Sequence, residues 1–200
     1  KERHSFDRVL RVNHCSLQDK KTMAIVDEIV SFFRQRGFQA AINKDQPGLL
    51  HQVMIRHSKS KNSFMINLFI TAEQDDFFDD FVTSISNTFK SITSIHLTFH
   101  DQKVGNPTKQ TILRSHGEAH LVESLDWLTC YISPLSFFQT NSEQALVLYQ
   151  TIQKSANLKP TDTLLDLYCG TGSIGLFLSK SVKNVIGIEE NEFAIKDAEY

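Results

Sequence analysis

The sequence has 200 residues, of which 40% are hydrophobic and 22% charged, a globular composition that excludes wholesale disorder. No stretch approaches about 18 consecutive apolar residues, so we expect no membrane-spanning helix and no membrane partner. The formal net charge is −2, but residues 1–60 carry 11 Lys and Arg against 6 Asp and Glu, whereas residues 161–200 carry 3 against 7. A basic first part suits a polyanion such as nucleic acid, and a solvated basic surface is the alternative.

The cysteines Cys15, Cys130 and Cys169 are odd in number and too widely spaced for a C-x-x-C motif. A disulfide framework is therefore not expected, and a reducing compartment is favoured. We expect a cytoplasmic protein and a monomer. The chain starts at Lys1 without a methionine or an apolar leader, and we expect the protein to extend upstream.

The first predicted element is a helix over residues 19–37. Gly37 stands where a glycine commonly ends a helix, and the apolar residues recur at helical spacing. The predicted apolar stripe comprises Val26, Ile29, Val30 and Phe33. Residues 50–57 and 63–70 follow as two predicted strands with a polar turn between them.

A second helix is predicted after these strands. Thr71 and Gln74 have the spacing of a capping box, which would open this helix. Its predicted apolar stripe comprises Phe78, Phe81, Val82, Ile85 and Phe89. Residues 95–100 then alternate between apolar and polar, which predicts a strand with one buried face and with His96 and Thr98 on the other.

Two further short strands are predicted over residues 119–122 and 128–132. Residues 1–135 therefore resemble a mixed α+β domain of antiparallel strands with helices on one side. The pattern changes at Asn141, which together with Gln144 is predicted to cap the next helix.

The last part of the chain predicts a β-α-β unit. Residues 163–168 form an apolar strand that leads into a glycine turn and a helix, and residues 184–188 form a second strand. Because two strands cannot make a parallel sheet buried on both faces, we expect this domain to be incomplete at Tyr200. The predicted fold class is α/β, a mixed antiparallel α+β domain followed by the start of a doubly wound, Rossmann-like domain.

The glycine turn over residues 166–175, DLYCGTGSIG, contains the spacing G-x-G-x-x-G between a predicted strand and a predicted helix. Gly170 and Gly172 can adopt positive φ and let the backbone approach a ligand closely. Glu189, near the end of the next strand, is placed to accept hydrogen bonds from two ribose hydroxyls. A glycine turn that only caps the helix is the alternative.

Two classes of cofactor fit such a turn. A dinucleotide brings a pyrophosphate, which favours bare amide groups at a helix N-terminus. S-adenosylmethionine brings a sulfonium cation and an amino acid, for which a nearby carboxylate is an asset. Asp166, four residues before Gly170, is such a carboxylate and would repel a pyrophosphate. The turn therefore favours S-adenosylmethionine, with a dinucleotide as the alternative.

Two segments resemble a known family, the RNA (uracil-5-)-methyltransferases. Residues 165–172, LDLYCGTG, are similar to its cofactor motif, and residues 132–141, ISPLSFFQTN, to the segment just before its methyltransferase domain. Residues 48–56 also resemble its central domain. The resemblance implies a central RNA-binding domain over residues 1–135 and the N-terminal part of an S-adenosylmethionine-binding methyltransferase domain over residues 136–200.

The same resemblance implies an activity and a set of cofactor contacts. The activity is S-adenosylmethionine-dependent methylation of uracil C5 in RNA, with ribosomal RNA favoured over transfer RNA. The cofactor-binding residues that it implies are Gln139, Tyr168, Ser173 and Glu189, which join Asp166, Gly170 and Gly172 of the glycine turn as the predicted cofactor site. Phe137 and Phe138, inside the segment of residues 132–141, are interpreted as core side chains at a domain junction.

In that family a cysteine thiolate adds to C6 of a flipped-out uracil, C5 attacks the methyl group, and a base removes the C5 proton. The nucleophile and the base lie beyond the position that Tyr200 occupies. We therefore assign no catalytic residue in this chain and expect residues 1–200 alone to be inactive. Cys169, in the cofactor turn, and Cys130, on a predicted strand, are interpreted as packed side chains.

Cys15 resembles the last of four cysteine ligands in the iron–sulfur-containing members of the family. The other three would lie upstream of Lys1, and a [4Fe-4S] cluster needs four ligands. We therefore predict a free thiol here and treat Cys15 as a candidate ligand of a cluster in the longer protein, with an ordinary cysteine as the alternative.

Two other functions stay open. A different S-adenosylmethionine methyltransferase would share the cofactor turn, and a non-catalytic RNA-binding protein could retain the fold. A Cys-x-Pro-x-Arg-like segment and a late Glu downstream would favour the uracil methyltransferase. The candidate contacts to RNA phosphates are Arg34, Arg36, Arg56 and Lys59.

Overall fold

The structure is a computed structural model that describes residues 12–41, 48–101 and 109–200. In these three ranges, no helix combines the length and the hydrophobicity needed to cross a membrane. The helices and strands are α1 Lys21–Gln35, β1 Leu50–Ser58, β2 Ser63–Ile70, α2 Phe78–Thr88, β3 Ile92–His100, β4 Gln110–Gly117, β5 Leu121–Leu125, β6 Leu128–Ile132, α3 Ser142–Ser155, β7 Thr163–Leu167, α4 Ser173–Leu178, a short 3-10 helix Ser179–Ser181, β8 Asn184–Ile188 and α5 Glu192–Glu199.

The first four strands form a mixed sheet in the order β1-β2-β3-β4. The pairs β1–β2 and β3–β4 are antiparallel, but β2 and β3 run parallel. Parallel neighbours need a crossover connection, and α2 supplies it. The prediction of antiparallel strands is therefore wrong for this one pair, while the predicted α/β fold class is confirmed.

Helices α1 and α2 pack on one face of this sheet and form a hydrophobic cluster with it. Ile29 and Phe33 of α1 are buried as predicted, but Val30 is 37% exposed. The buried face instead runs through Ile25 and Phe32. Helical spacing alone fits both stripes, because they share Ile29 and Phe33, so only packing against the sheet decides between them.

The end of α1 is as predicted. Gly37 has a φ of +74°, which a glycine adopts without strain. The N–H of Phe38 donates to the Phe33 carbonyl at 3.1 Å, and the N–H of Gly37 donates to the Arg34 carbonyl at 3.1 Å. These two bonds form a Schellman motif, and the rings of Phe33 and Phe38 make the apolar contact that accompanies it.

The predicted capping box at Thr71 is wrong. Helix α2 begins only at Phe78, and no side chain caps its start. The Thr71 hydroxyl donates to the Gly48 carbonyl at 2.6 Å instead, which ties the end of β2 to the start of β1. The N–H of Gln74 donates to the Ala72 carbonyl at 2.8 Å in a turn before the helix.

The second face of the sheet is also buried, contrary to the prediction for β3. His96 is 2% exposed and Thr98 is fully buried. Residues 133–136, which follow β6, contact this face, where Asn67 donates to the Pro134 carbonyl at 3.5 Å. Thr98 in turn donates to the Asn67 side chain at 2.8 Å. The polar side of β3 thus faces a hydrogen-bonded layer of protein rather than solvent.

His96 shows how the buried polar groups of this layer find hydrogen-bond partners. Its Nε2 lies 2.7 Å from the Ser94 hydroxyl and its Nδ1 lies 2.9 Å from the Ser115 hydroxyl. Burial, and then the nearby His120, lower the pKa of His96 to about 4. The ring is therefore neutral at physiological pH and acts as a structural hydrogen-bonding group.

The hairpin of β5 and β6 packs with α3 and α4 in a second hydrophobic cluster. Cys130 lies in this cluster, and burial followed by the charge of Glu123 raises the pKa of its thiol to about 11. Its interpretation as a core residue is confirmed. Strand β6 has the predicted bounds, whereas β5 is shifted from the predicted 119–122. The division of the chain into residues 1–135 and 136–200 stays a prediction.

Hydrogen bonds to Glu123 connect this hairpin to the turn between β1 and β2. Its carboxylate accepts hydrogen bonds from the N–H groups of Lys59 (2.9 Å), Ser60 (3.0 Å) and Ser124 (3.0 Å). The Ser58 hydroxyl donates to it at 3.3 Å. Burial by itself raises the pKa of Glu123, but the hydrogen bonds from Ser60 and the backbone N–H groups lower it by more, so the pKa lies below its ordinary value.

We expect Glu123→Gln to lower the free energy of local opening of the β5–β6 hairpin by about 1–3 kcal/mol at neutral pH, because a charged acceptor is lost. Since folding lowers the pKa of Glu123, its stabilisation is complete above the unfolded pKa of about 4.3 and is lost as the pH falls through the folded pKa. Hydrogen exchange of the hairpin amides in the full-length protein, corrected for the intrinsic effect of pH, measures this.

The matched control is Glu143→Gln. Glu143 forms a 3.2 Å ion pair with Lys59, but its side chain is 74% exposed. An exposed pair of this kind contributes little to stability, so the control should leave hairpin exchange unchanged. Equal effects of the two substitutions, or a Glu123→Gln effect that does not shrink in acid, would contradict the assignment.

The second sheet consists of β7 and β8, which are parallel and connected through α4. This confirms the predicted β-α-β unit. On one face of the sheet the side chains are 51–56% exposed. They are Leu165, Leu167, Ile186 and Ile188. Within the described part of the chain, this apolar face is open.

Candidate functional site

The glycine turn connects β7 to α4 through several residues in left-handed conformations. Tyr168, Gly170 and Gly172 have φ values of +57°, +57° and +69°. No heavy atom within the described residues lies within 4 Å of a Cβ built on Gly170. The space above that glycine is therefore open to a ligand. The Tyr168 side chain is 90% exposed beside it.

Gly175, the third glycine of the motif, lets α4 approach the sheet. A Cβ there would lie 2.9 Å from Asp166 Oδ2 and 3.0 Å from Val185 Cγ1. The N–H of Gly175 donates to the same Asp166 oxygen at 2.9 Å. Asp166 thus fixes the first turn of α4 to β7, and a carboxylate is favourable at that end of a helix. Its contact with a cofactor stays a prediction.

Glu189 follows β8, and its carboxylate reaches the glycine turn. Oε2 accepts from the Gly170 N–H at 2.8 Å, and Oε1 accepts from the N–H groups of Glu190 and Asn191 at 2.9 Å each. The bonds from Asn191 and Gly170 lower the pKa of Glu189 against a smaller opposing effect of burial. The side chain is therefore a charged, oriented acceptor beside the turn.

A groove of about 470 Å³ brings part of the predicted site together. Asp166, Gly172 and Glu189 line it, and Cys169 lies beside them. Gly170 is linked to the groove by its hydrogen bond to Glu189. Residues of α4, β8 and α5 form the rest of the wall. An open groove whose wall includes three carboxylates, those of Asp166, Glu189 and Glu199, suits a ligand that carries hydroxyl groups and positive charge.

The lining of this groove does not include three other predicted site residues, Ser173, Tyr168 and Gln139. The Ser173 hydroxyl lies 2.8 Å from the Tyr149 hydroxyl of α3. Tyr168 points to solvent. Gln139 lines a second groove of about 410 Å³ together with Cys15. The structure therefore places Gln139 in a different groove from Glu189, and the cofactor contacts of all three residues stay predictions.

The core interpretation of the two motif phenylalanines holds for only one of them. Phe138 is partly buried against the second hydrophobic cluster. Phe137 is 67% exposed, so its interpretation as a core side chain is wrong. Both residues line the same groove as Gln139. An exposed aromatic ring at a groove is suited to stacking on a flat ligand.

Cys169 is a packed residue beneath the glycine turn. Its Sγ lies 2.8 Å from the position of a Cβ built on Gly187, so the thiol occupies the space that this glycine leaves. Burial first, and then the charges of Asp166 and Glu189, raise the pKa of the thiol. A thiol that stays protonated at neutral pH is a poor nucleophile, which supports the packing interpretation.

Cys15 is a free, half-buried thiol. Among the described residues, no group of three or more His, Cys, Asp or Glu side chains is arranged to hold a metal ion. One thiolate does not fit the four-ligand requirement of an iron–sulfur cluster. The cluster stays a prediction about the longer protein.

Three of the four candidate phosphate contacts, Arg36, Arg56 and Lys59, have partners for their side chains within the chain. Arg56 Nη2 donates to the Ser136 carbonyl, and burial lowers the pKa of Arg56 while the charge of Asp197 raises it. Arg56 is therefore held at the groove that Gln139 also lines, and its contact with phosphate stays a prediction. Arg36 and Lys59 form ion pairs with exposed carboxylates at 3.4 and 3.2 Å. Such exposed pairs are weak and can exchange for phosphate.

Sequence reasoning missed Asp197, which is buried on α5. Its carboxylate accepts the N–H of Ser133 at 2.7 Å and the hydroxyl of the same residue. The available signal was its spacing three positions after Ala194, which places the two side chains on one face of a helix. A charged side chain among buried positions is rare unless it is paired.

The chain is similar in sequence to bacterial proteins, although no protein-family model matches it. It is 31% identical over 196 residues to an "uncharacterized RNA methyltransferase" of Bacteroides thetaiotaomicron, with 97% of this chain and 43% of the relative covered. A protein of the same description from Oceanobacillus iheyensis is 32% identical over 188 residues, covering 92% and 40%. The chain thus spans about two fifths of the length of these relatives.

Among solved structures, the chain is similar to the tRNA (uracil-54, C5)-methyltransferase of Pyrococcus abyssi in complex with S-adenosyl-L-homocysteine. The TM-score is 0.78 at 26% identity, covering 98% of this chain and 46% of that one. These similarities confirm the resemblance to RNA methyltransferases that the two sequence motifs indicated.

Proposed function

We propose that this chain, a relative of RNA methyltransferases, is the RNA-recognition and cofactor-binding part of an enzyme that methylates uracil C5 in RNA. The observation that carries the proposal is its likeness, over 98% of its length, to a tRNA (uracil-54, C5)-methyltransferase. The groove beside the glycine turn, with the charged Glu189 at its edge, supports the same function.

In this proposal S-adenosylmethionine lies in the Glu189 groove and supplies an electrophilic methyl group. Glu189 accepts hydrogen bonds from the ribose hydroxyls, and Gly170 and Gly172 leave room for the ligand. The hydrogen bond from Gly170 to Glu189 fixes turn and acceptor relative to each other before a ligand arrives. Such preorganisation lowers the ordering cost of binding.

We further propose that the nucleophile and the general base come from parts of the protein outside this chain. The raised pKa of Cys169 and its packing against Gly187 make it unsuited to attack uracil C6. Cys169→Ser in the full-length protein should therefore keep methyl transfer within about threefold of wild type, whereas a nucleophile would lose orders of magnitude. Loss of activity in this variant would overturn the assignment.

Arg34, in the last turn of α1, and Arg36, the residue that follows this helix, are proposed to contact RNA phosphates. Each phosphate contact contributes roughly 0.7–0.9 to the slope of log affinity against log salt. The double variant Arg34→Gln/Arg36→Gln should therefore flatten that slope by about 1.5 between about 50 and 200 mM salt. Fluorescence anisotropy with labelled RNA measures it. The matched control, Lys154→Gln/Lys183→Gln, changes two exposed lysines outside the basic part and should leave the slope unchanged. Equal slopes for all three proteins would refute the proposal.

The class of RNA is decided by direct competition. The resemblance of Cys15 to a cluster ligand favours ribosomal RNA, whereas the similar solved structure is a tRNA enzyme. Incubation of the full-length protein with labelled S-adenosylmethionine and equimolar ribosomal RNA fragments and transfer RNA, followed by separation of the two, shows which becomes labelled.

A further inference from the structure

Asp197 attaches the buried side of α5 to the segment that follows β6. Its side chain is fully buried. Oδ2 accepts the backbone N–H of Ser133 at 2.7 Å, and Oδ1 accepts the Ser133 hydroxyl. Oδ1 also lies 3.6 Å from His120 Nε2. Tyr200, at the end of the helix, packs on Tyr131 with ring centroids 4.5 Å apart. Because both carboxylate oxygens are engaged, the orientation of Asp197 is fixed.

The first sheet holds the same segment, residues 133–136, from the other side. Asn67 donates to the Pro134 carbonyl at 3.5 Å, and Arg56 donates to the Ser136 carbonyl. The N–H of Ser136 donates to the Ser133 carbonyl at 3.2 Å, which closes a turn. The chain leaves this turn directly toward Gln139. The direction in which Gln139 enters its groove therefore depends on how residues 133–136 are held.

The same helix also borders the glycine-turn groove. Ile195, Ala198 and Glu199 of α5 line that groove. Asn191 caps the start of α5 by accepting from the N–H groups of Phe193 and Ala194, and the N–H of Asn191 donates to Glu189. One side of α5 thus contacts the glycine-turn groove, while Asp197 on its buried side binds the segment that carries Gln139.

We propose that Asp197 is a positioning residue, which acts through Ser133 to fix the Gln139 segment relative to the glycine-turn groove. Asp197 need not touch any ligand in this role. Through Asp197, the segment of residues 132–141 is connected to α5, which lines the glycine-turn groove. For its effect on catalysis, this inference rests on the proposed methyl transfer, whose productive geometry a displacement of about 1 Å would disturb.

The test compares three variants of the full-length protein. Asp197→Ala removes both hydrogen bonds. Asp197→Asn keeps an acceptor for the Ser133 N–H and can donate to its hydroxyl, so it is the conservative variant. Lys196→Ala changes an exposed neighbour on the same helix and is the control. We expect Asp197→Ala to lower kcat at least about tenfold with binding of S-adenosylhomocysteine kept within about threefold, and Asp197→Asn to restore kcat to within about threefold.

A second readout does not depend on activity. Hydrogen exchange of the amides of residues 133–141 should accelerate at least about tenfold in Asp197→Ala and should be unchanged in Lys196→Ala. If Asp197→Ala fails to fold, Ser133→Ala decides, since it removes one bond and should accelerate the same amides. If wild type transfers no methyl group, the proposed function fails, and exchange alone decides the positioning role.

Two results would overturn the positioning role. One is a kcat and a hydrogen-exchange rate of residues 133–141 that are both unchanged from wild type in Asp197→Ala. The other is a parallel loss of kcat, ligand affinity and thermal stability that the asparagine variant does not restore, since that pattern indicates general destabilisation.

Discussion

Glu189→Ala is expected to weaken binding of S-adenosylmethionine to the full-length protein about 5- to 150-fold, which corresponds to about 1–3 kcal/mol for the loss of a charged hydrogen-bond acceptor. The reason is that both oxygens of Glu189 are oriented by backbone N–H groups, including that of Gly170 in the glycine turn. Isothermal titration calorimetry measures the affinity directly.

The matched control is Glu190→Ala. Glu190 is the exposed neighbour of Glu189, and it contributes only its backbone N–H to the Glu189 carboxylate, which the substitution preserves. Its affinity should equal that of wild type. An affinity of Glu189→Ala within about twofold of wild type would contradict the assignment of this carboxylate to the ribose, because so small a change is below the cost of one lost charged hydrogen bond.

Gly117→Ala is expected to destabilise the first sheet by more than about 3 kcal/mol. Gly117 has a φ of +80°, and a Cβ there would lie 2.1 Å from the Thr93 carbonyl oxygen. The backbone cannot move aside easily, because Gly117 pairs with Ser94 in the β3–β4 register. Hydrogen exchange of the β3 and β4 amides in the full-length protein measures the loss.

Gly37→Ala separates the clash from the strain of positive φ. Gly37 has a similar φ of +74°, but no described atom lies within 4 Å of a Cβ built there. This variant should cost about 1–2 kcal/mol, the ordinary penalty of an L residue in the left-handed region. If the two variants lose the same stability, the close approach of Thr93 is not the cause.

Local patterns predicted the parts of the fold that local physics determines. The end of α1 at Gly37 and the strand–turn–helix over residues 163–178 depend on glycine conformations and helical spacing within a few residues. Glu189 could be placed beside the glycine turn because the second strand of a β-α-β unit lies parallel to the first and ends at the same edge. These elements are present as predicted.

Contacts between distant segments could not be predicted in the same way. The alternation in β3 located the strand, but burial of His96 depends on residues 133–136, which lie far away in the sequence. Thr71 has the spacing of a capping residue, yet its hydroxyl is used by Gly48. Arg56 contributes to a basic composition, but its guanidinium donates to the Ser136 carbonyl. In each case a contact with a distant segment determines the structure that was predicted from nearby residues alone.

The two grooves show the same limit for the site. The motifs predicted that Gln139 and Glu189 contact the same cofactor. The spacing of the two residues along the chain does not determine how their side chains are oriented. Asp197 and Ser133, which connect the two segments, belong to no recognisable motif. Their pairing emerges only once α5 packs against the segment that follows β6.

The proposed chemistry is tested most directly by the fate of the hydrogen at uracil C5. The full-length protein is incubated with S-adenosylmethionine and with RNA that carries tritium at C5 of its uridines. We expect tritium to be released to water in a reaction that depends on S-adenosylmethionine, because C5 must lose its hydrogen when it gains the methyl group. The amount released should match the 5-methyluridine found in the digested RNA. Methyl transfer to RNA without tritium release would place the methyl group on another atom and would contradict the account.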